Sequence, residues 1–229
     1  MDFDRMRDTI KKQYDDLLTY ALGAATGIFG IFSTVGRIDE IYKLYTVGSL
    51  GLQNILSFIL LILTLFLGFS WFVSGKYELS LLRRYYEGYF PPIAFSSLPT
   101  VIMLAITLVL LVITSDNILL YSVIALIYSI IALVANLLVR SHFKDGFNRA
   151  KDNDGIPRVY NEEMEKYYIE RKNGRDGMIL IVASLVSILL MMSGRPEYIS
   201  YLVLICSIVL NEAIVWSWRS RLYRKLRSI

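Results

Sequence analysis

Long apolar blocks alternate with short polar connections along most of this chain. Six blocks reach or approach the length of about 20 residues that crosses a bilayer core. They cover residues 17–36, 51–74, 94–114, 117–139, 177–193 and 198–217.

Two of the connections are short enough to predict hairpins. "TSDN" separates the third block from the fourth, and "SGRPE" separates the fifth from the sixth. Both are rich in residues that favour tight turns. The pattern therefore predicts an all-α, polytopic membrane helical bundle in which six transmembrane helices form three hairpins.

The polar segments predict short amphipathic helices outside the bilayer. Near the N-terminus, apolar residues from Phe3 to Leu17 recur at helical spacing. In the longest connection, "NEEMEKYYIERKNG" predicts a helix capped by Asn161, with acidic residues in its first turn. The resulting organisation is an amphipathic helix at 1–16, transmembrane helices 1–4 at 17–139, a loop with a short helix at 140–176, transmembrane helices 5–6 at 177–217 and a basic tail at 218–229.

Composition and charge support a membrane protein and predict its orientation. The chain is 55% hydrophobic and only 19% charged, with a mean hydropathy of +0.50, which is unusual for a soluble domain. Of the 24 Lys and Arg residues, 21 lie in the N-terminal segment, the 75–93 and 140–176 connections and the tail. Because basic residues concentrate in cytoplasmic segments, both termini are predicted to be cytoplasmic, with the cell membrane as the expected location.

The residue inventory favours no catalytic chemistry. A single histidine and a single cysteine exclude an intramolecular disulfide and a multi-histidine metal site within one chain. Neither a phosphate-binding glycine loop nor a serine nucleophile elbow is present. We therefore predict no metal, no cofactor and no enzyme activity, and the net charge of +4 does not indicate a nucleic-acid partner.

Glu212 and Asn211 are the most conspicuous polar residues inside an apolar block. Ionisable residues in transmembrane helices often mark a transport pathway, although a structural ion pair is the alternative. Glu212 lies seven residues before Arg219, about 10 Å from the predicted inner end of its helix. Asn136, four residues before Arg140 on the fourth block, lies in the same leaflet but about one turn shallower. These three residues are the candidate inner vestibule.

A second candidate surface is a stripe of small residues on the first block. Gly23, Gly27, Gly30 and Thr34 follow one another at spacings of four, three and four, so they share one helix face. Small residues at such spacing let another helix approach closely. The stripe is either a helix-packing face or a face that lines a path for solutes.

Two functions remain open at the level of sequence. The first is a small oligomeric channel or transporter for ions or small solutes, with membrane lipids and further copies of the chain as its partners. The second is a non-catalytic membrane subunit whose amphipathic helices recruit a cytoplasmic protein. A third, an intramembrane enzyme acting on lipid, rests only on "DGFNRA", a fragment in which two residues are transposed relative to the headgroup-transferase pattern.

Overall fold

The computed structural model describes residues 30–86, 93–151, 158–166 and 178–227. Within these ranges, the side chains of 70–101, 135–136, 138–143, 150, 158–160 and 226–227 are not described. The predicted amphipathic helix at 1–16 and the glycines at 23 and 27 lie outside the described residues.

The described residues are almost all helical, and the connections among them that the structure describes are short turns. Residues 30–46 belong to the first helix, α1. The others are α2 (Leu52–Tyr86), α3 (Ile93–Ile113), α4 (Ile118–Ala150), α5 (Arg158–Glu165), α6 (Met178–Met192) and α7 (Glu197–Arg227).

Apolar blocks and helices share their starting points but not all of their ends. The helices α2, α3, α4, α6 and α7 each begin within one residue of a predicted block. However, α4 continues 11 residues past the predicted end at 139, and α7 continues 10 residues past 217. Arg, Lys and Leu are good helix formers in water, so loss of hydrophobicity does not end these helices.

The turns between neighbouring helices are tight, as the sequence predicts. Gly194 has a φ of 69° in the turn between α6 and α7, a conformation that glycine adopts without steric cost. The amide of Arg195 donates to the carbonyl of Leu190 at 3.1 Å and closes the end of α6. At the start of α4, the side chain of Asn117 accepts a hydrogen bond from the amide of Leu120 at 3.1 Å.

Five helices form a closed ring. In the order α2, α3, α4, α6 and α7, each helix packs on the next, and α7 packs again on α2. The ring is filled by apolar side chains such as Leu60, Leu204 and Tyr121, each at most 2% exposed. It therefore has a packed core contributed by all five helices.

Polar and apolar side chains occupy different parts of the ring. Serine and threonine hydroxyls are buried between the helices, whereas large apolar side chains cover the outside. Buried hydroxyls include Ser57, Thr64, Thr107, Ser122, Ser129, Ser184, Ser187 and Ser200. Exposed apolar residues include Ile59, Phe66, Ile106, Leu110, Ile127, Ile130, Val182, Leu189, Leu202 and Val209. In water this outer surface would be unfavourable, but it suits a hydrocarbon surrounding.

Two helices in the described part of the chain are long and apolar enough to cross a membrane. They are Leu52–Phe69 and Glu197–Lys225. Three further apolar helical stretches, Ile102–Ile113, Ile118–Val134 and Met178–Met192, are shorter than 18 residues. The 15 residues of α6 extend about 22 Å, less than a bilayer core of about 30 Å. Membrane association is thus indicated by two helices, and six crossings stay a prediction.

Hydroxyl groups connect α4, α6 and α7 inside the ring. The side-chain oxygens of Ser122 and Ser187 are 2.7 Å apart. Ser200 donates to the main-chain carbonyl of Ser187 at 3.3 Å. Small hydroxyl side chains let helices approach closely and hydrogen-bond to one another where water is excluded.

At one end of the ring, three helical hairpins are tied together. Arg37 of α1 forms a 2.9 Å salt bridge with Asp116 in the turn between α3 and α4. The hydroxyl of Tyr201 on α7 donates to the carbonyl of Asp116 at 3.0 Å. On the exposed side of α1, a hydrogen bond to Asp39 raises the pKa of Lys43. The predicted outer turns therefore meet at one end.

At the other end, α5 packs against the extended ends of α4 and α7. We call the described residues of this unit, 144–151, 158–166 and 218–225, the helical head. Its core contains Phe147, Met164 and Leu222, each at most 4% exposed. Lys151 pairs with Glu165 at 3.0 Å, and Lys225 pairs with Glu163. The short helix thus packs on the neighbouring helices of its own chain.

Asn161 has a different place from the one that the sequence suggested. The helix begins at Arg158, so Asn161 lies inside it rather than at its N-cap. Its side chain is buried, and its amide donates to the main-chain carbonyl of Phe147 at 3.3 Å. The residue therefore joins α5 to α4.

Helix α1 contacts the ring along a narrow stripe, and Gly30 is its tightest point. A methyl group on Gly30 would overlap the side chain of Leu65, whereas one on Gly36 would meet nothing within 4 Å.

We expect Gly36→Ala to raise the free energy of unfolding by about 0.5–1 kcal/mol, because alanine favours the helix. Gly30→Ala should not show this increase in stability, because the side chain of Leu65 must move to make room for the methyl group. Thermal unfolding in detergent measures both, and equal stabilisation would contradict close packing at Gly30.

Candidate functional site

A small cavity lies at the centre of the ring, and all five helices line it. Its volume is ≈ 20 Å³, which is room for about one water molecule. The surface that faces the cavity is almost entirely apolar, although four of the lining residues, on α2 and α4, carry hydroxyl groups. The lining residues are Thr64, Leu67, Leu111, Tyr121, Ala125, Tyr128, Ser129, Leu180, Leu204 and Ile208. We call this the central cavity.

The hydroxyls beside the central cavity are held in fixed positions. Thr64 donates to the carbonyl of Leu60 at 2.7 Å, and its oxygen lies 2.7 Å from the hydroxyl of Tyr121. Since Thr64 donates to its own helix, it accepts the proton of Tyr121. Ser129 donates to the carbonyl of Ala125 at 2.7 Å. The oxygen atoms of these side chains retain accepting capacity toward a polar occupant.

The depth of the central cavity follows from its place along α4. Tyr121 and Ser129 lie three and eleven residues after Ile118, so the cavity spans about 5–16 Å along the axis from the turn. A bilayer core of about 30 Å would have its midplane near the deeper edge. Binding sites of membrane transporters commonly lie near this depth.

Asn211 continues the inward face of α7 below the central cavity. Leu204, Ile208 and Asn211 are all buried and follow one another at spacings of four and three. The amide group therefore lies about one turn, or 4.5 Å, beyond the cavity lining. Glu212 is its neighbour and is partly buried. Neither residue lines the central cavity, and their role in an inner vestibule stays a prediction.

The structure describes three of the other predicted site residues, Asn136, Gly30 and Thr34, to different extents. Asn136 lies on the helical backbone of α4, seven residues after Ser129, but its side chain is not among the described ones. Gly30 lies against Leu65 of α2, and Thr34 donates to the carbonyl of Gly30 at 2.8 Å. Neither residue lines the central cavity. The meeting of Asn136 with Asn211 stays a prediction.

Sequence reasoning missed the hydroxyls that line the central cavity. Thr64 and Tyr121 are 57 residues apart, and no local pattern links them. A partial signal existed, since Ser122 and Ser129 stand seven residues apart on one face of an apolar helix. Serine and threonine are common in transmembrane helices, so the signal did not separate a cavity from ordinary packing.

Metal ligands do not converge in the described part of the chain. No group of three or more His, Cys, Asp or Glu side chains is found among those residues. Cys206, on α7, is exposed.

Comparison with known proteins gives no relative. No family model, no curated protein and no solved structure matches this chain. The function is therefore argued from the chemistry and position of the site.

Proposed function

We propose that this protein is an integral membrane transporter or channel for ions or small polar solutes, acting as an oligomer with both termini in the cytoplasm. The observation that supports it most is the central cavity, which all five helices of the ring line and which hydroxyl-bearing residues of α2 and α4 border. Asn211 and Glu212 extend this polar region toward the inner end of the bundle. Polar groups in lipid are costly, so their grouping along one axis favours a transport role.

The size of the central cavity favours alternating access over a permanently open pore. With space for about one water, it admits no continuous aqueous column. On its outer side, the hydrogen bond between Tyr121 and Thr64 closes the gap between α4 and α2. Transport then requires α2 and α4 to separate, which matches rocking of helix bundles around a central site.

Reconstitution into liposomes tests this proposal at Glu212. With monovalent cations, monovalent anions and small neutral solutes as probes, we expect a protein-dependent flux for at least one class. Glu212→Ala should lower that flux by about tenfold or more, because the inner carboxylate is removed. Glu197→Ala is the matched control, since Glu197 lies on the same helix but is exposed at its outer end. Full flux in Glu212→Ala would remove this residue from the mechanism.

Filling the central cavity tests the transport proposal without changing any charge. Ala125→Leu adds three carbon atoms to a space of ≈ 20 Å³ and should reduce flux about tenfold, with an overpacking cost of about 1–3 kcal/mol. Val123→Leu, on the exposed side of α4, should leave flux unchanged. Equal flux in both variants of the folded protein would contradict a path through the central cavity.

A second function, recruitment of a cytoplasmic protein, is favoured by the helical head. Its parts come from three helices and are held by a buried core and two ion pairs, so it presents a defined polar surface. Co-purification from native membranes tests it: loss of a partner in Glu162→Arg with Lys166→Glu, at unchanged flux, would support recruitment. Glu162 lies on α5, Lys166 follows its last residue directly, and both are exposed.

A further inference from the structure

We propose that the helical head binds the headgroups of anionic phospholipids through a basic flank, Arg221 and Arg224 on α7, with Lys144 on α4 as a further exposed base. The three side chains are exposed, and none forms an ion pair with any of the residues that the structure describes. This inference requires a membrane-embedded bundle, but it does not depend on transport.

Two of the acidic groups of α5 are already engaged with other bases. Glu163 pairs with Lys225, and Glu165 pairs with Lys151. Folding of the head thus neutralises two lysines and leaves the charges on Lys144, Arg221 and Arg224 without a described acidic partner. Arg224 only donates from Nε to the carbonyl of Ser220, in its own helix, at 3.4 Å. Its terminal nitrogens remain available to an external anion.

The position of these charges along α7 matches the headgroup layer. Trp216 is 57% exposed on the outward face, as expected for a tryptophan at the boundary between hydrocarbon and water. Arg221 and Arg224 follow five and eight residues later, about 7 and 12 Å farther along the helix. The headgroup region adds about 5–8 Å to the hydrocarbon core on each side, so Arg221 lies at the depth of the lipid phosphates. The long side chain of Arg224 can reach back to them.

The chemistry of the flank favours phosphate diesters over neutral headgroups. Guanidinium groups bind phosphate oxygens through two parallel hydrogen bonds. Basic residues close to the inner end of a transmembrane helix attract anionic lipids electrostatically. Phosphatidylglycerol is a suitable probe, since it carries one net negative charge, whereas phosphatidylcholine carries a balancing cation.

Thermal unfolding of the full chain with added lipid tests the proposal. Phosphatidylglycerol should raise the melting temperature more than phosphatidylcholine does, and 0.5 M salt should reduce the difference. In Arg221→Gln with Arg224→Gln, apparent affinity for phosphatidylglycerol should fall about fivefold per removed charge. Arg195→Gln, at the opposite end of the bundle, removes an exposed arginine and should leave the affinity unchanged.

Several results would overturn the proposal. They are equal stabilisation by the two lipids, an equal loss in Arg195→Gln, or the same stabilisation by inorganic phosphate without lipid. If the glutamine variant does not fold, the experiment uses Arg221→Lys with Arg224→Lys in its place, because this variant keeps both charges. The lysine variant should retain the preference for phosphatidylglycerol with weakened affinity, and loss of any preference for the anionic lipid in it would also contradict the proposal.

Discussion

Met164→Asp is expected to release α5 from the helical head. Met164 is fully buried between α5 and the extended ends of α4 and α7. The substitution removes packing worth about 2–5 kcal/mol and adds a carboxyl group to an apolar site. Loss of 3 kcal/mol or more corresponds to hydrogen exchange about 100-fold faster in the amides of Arg158–Glu165. Exchange followed by mass spectrometry measures this directly.

Lys166→Asp provides the matched control for that experiment. Lys166 is two residues away from Met164 and is exposed, so the same side chain is introduced on the opposite face. We expect exchange in α5 to change by less than about threefold in this variant, as for most surface substitutions. If both variants exchange equally fast, the short helix is not held by its apolar face, and the head described above is wrong.

Leu204→Ala is expected to destabilise the ring more than any exposed leucine does. Leu204 has no exposed surface and lines the central cavity together with residues of the other four helices. Its truncation enlarges the cavity and removes contacts, which should lower the free energy of unfolding by about 2–4 kcal/mol. Reversible unfolding in mixed detergent micelles gives this value.

Leu202→Ala, on the same helix, tests whether the loss of stability in Leu204→Ala comes from packing or from the hydrophobicity of the side chain. Leu202 is 43% exposed on the outward face, where lipid replaces the missing atoms. Between helices in lipid, stability comes from packing and hydrogen bonds rather than from removal of apolar surface from water. We therefore expect a change below about 1 kcal/mol, and similar losses in both variants would contradict a closed ring with α7 as a member.

Much of the fold was predictable from apolar patterning. The starts of α2, α3, α4, α6 and α7 agree with the blocks because turn residues such as Asn117 and Gly194 act locally, through caps and glycine conformations. The helix ends at 150 and 227 were not predictable in this way. Hydropathy reports the transition from lipid to water, whereas a helix ends only where its backbone bonding ends.

The candidate site was predictable only in part. Asn211 and Glu212 stand out as polar groups in an apolar block, and they lie next to the central cavity. Thr64 and Tyr121 did not stand out, because a hydroxyl in an apolar helix is common and its role depends on the partner. Likewise, the sequence shows Arg37 only as one basic residue in a predicted outer connection. Its salt bridge with Asp116 is visible only in the structure.

The sequence by itself determined that this chain is helical, which segments are apolar and where the turns lie. Each of those properties depends on residues within about one helical turn of one another or on transfer of a segment from water to lipid. Only the tertiary structure decided which helices form the ring, that α5 packs on α4 and α7, and where a cavity remains. These depend on the shapes of side chains that are far apart in sequence, and shape complementarity leaves no periodic trace in a single chain.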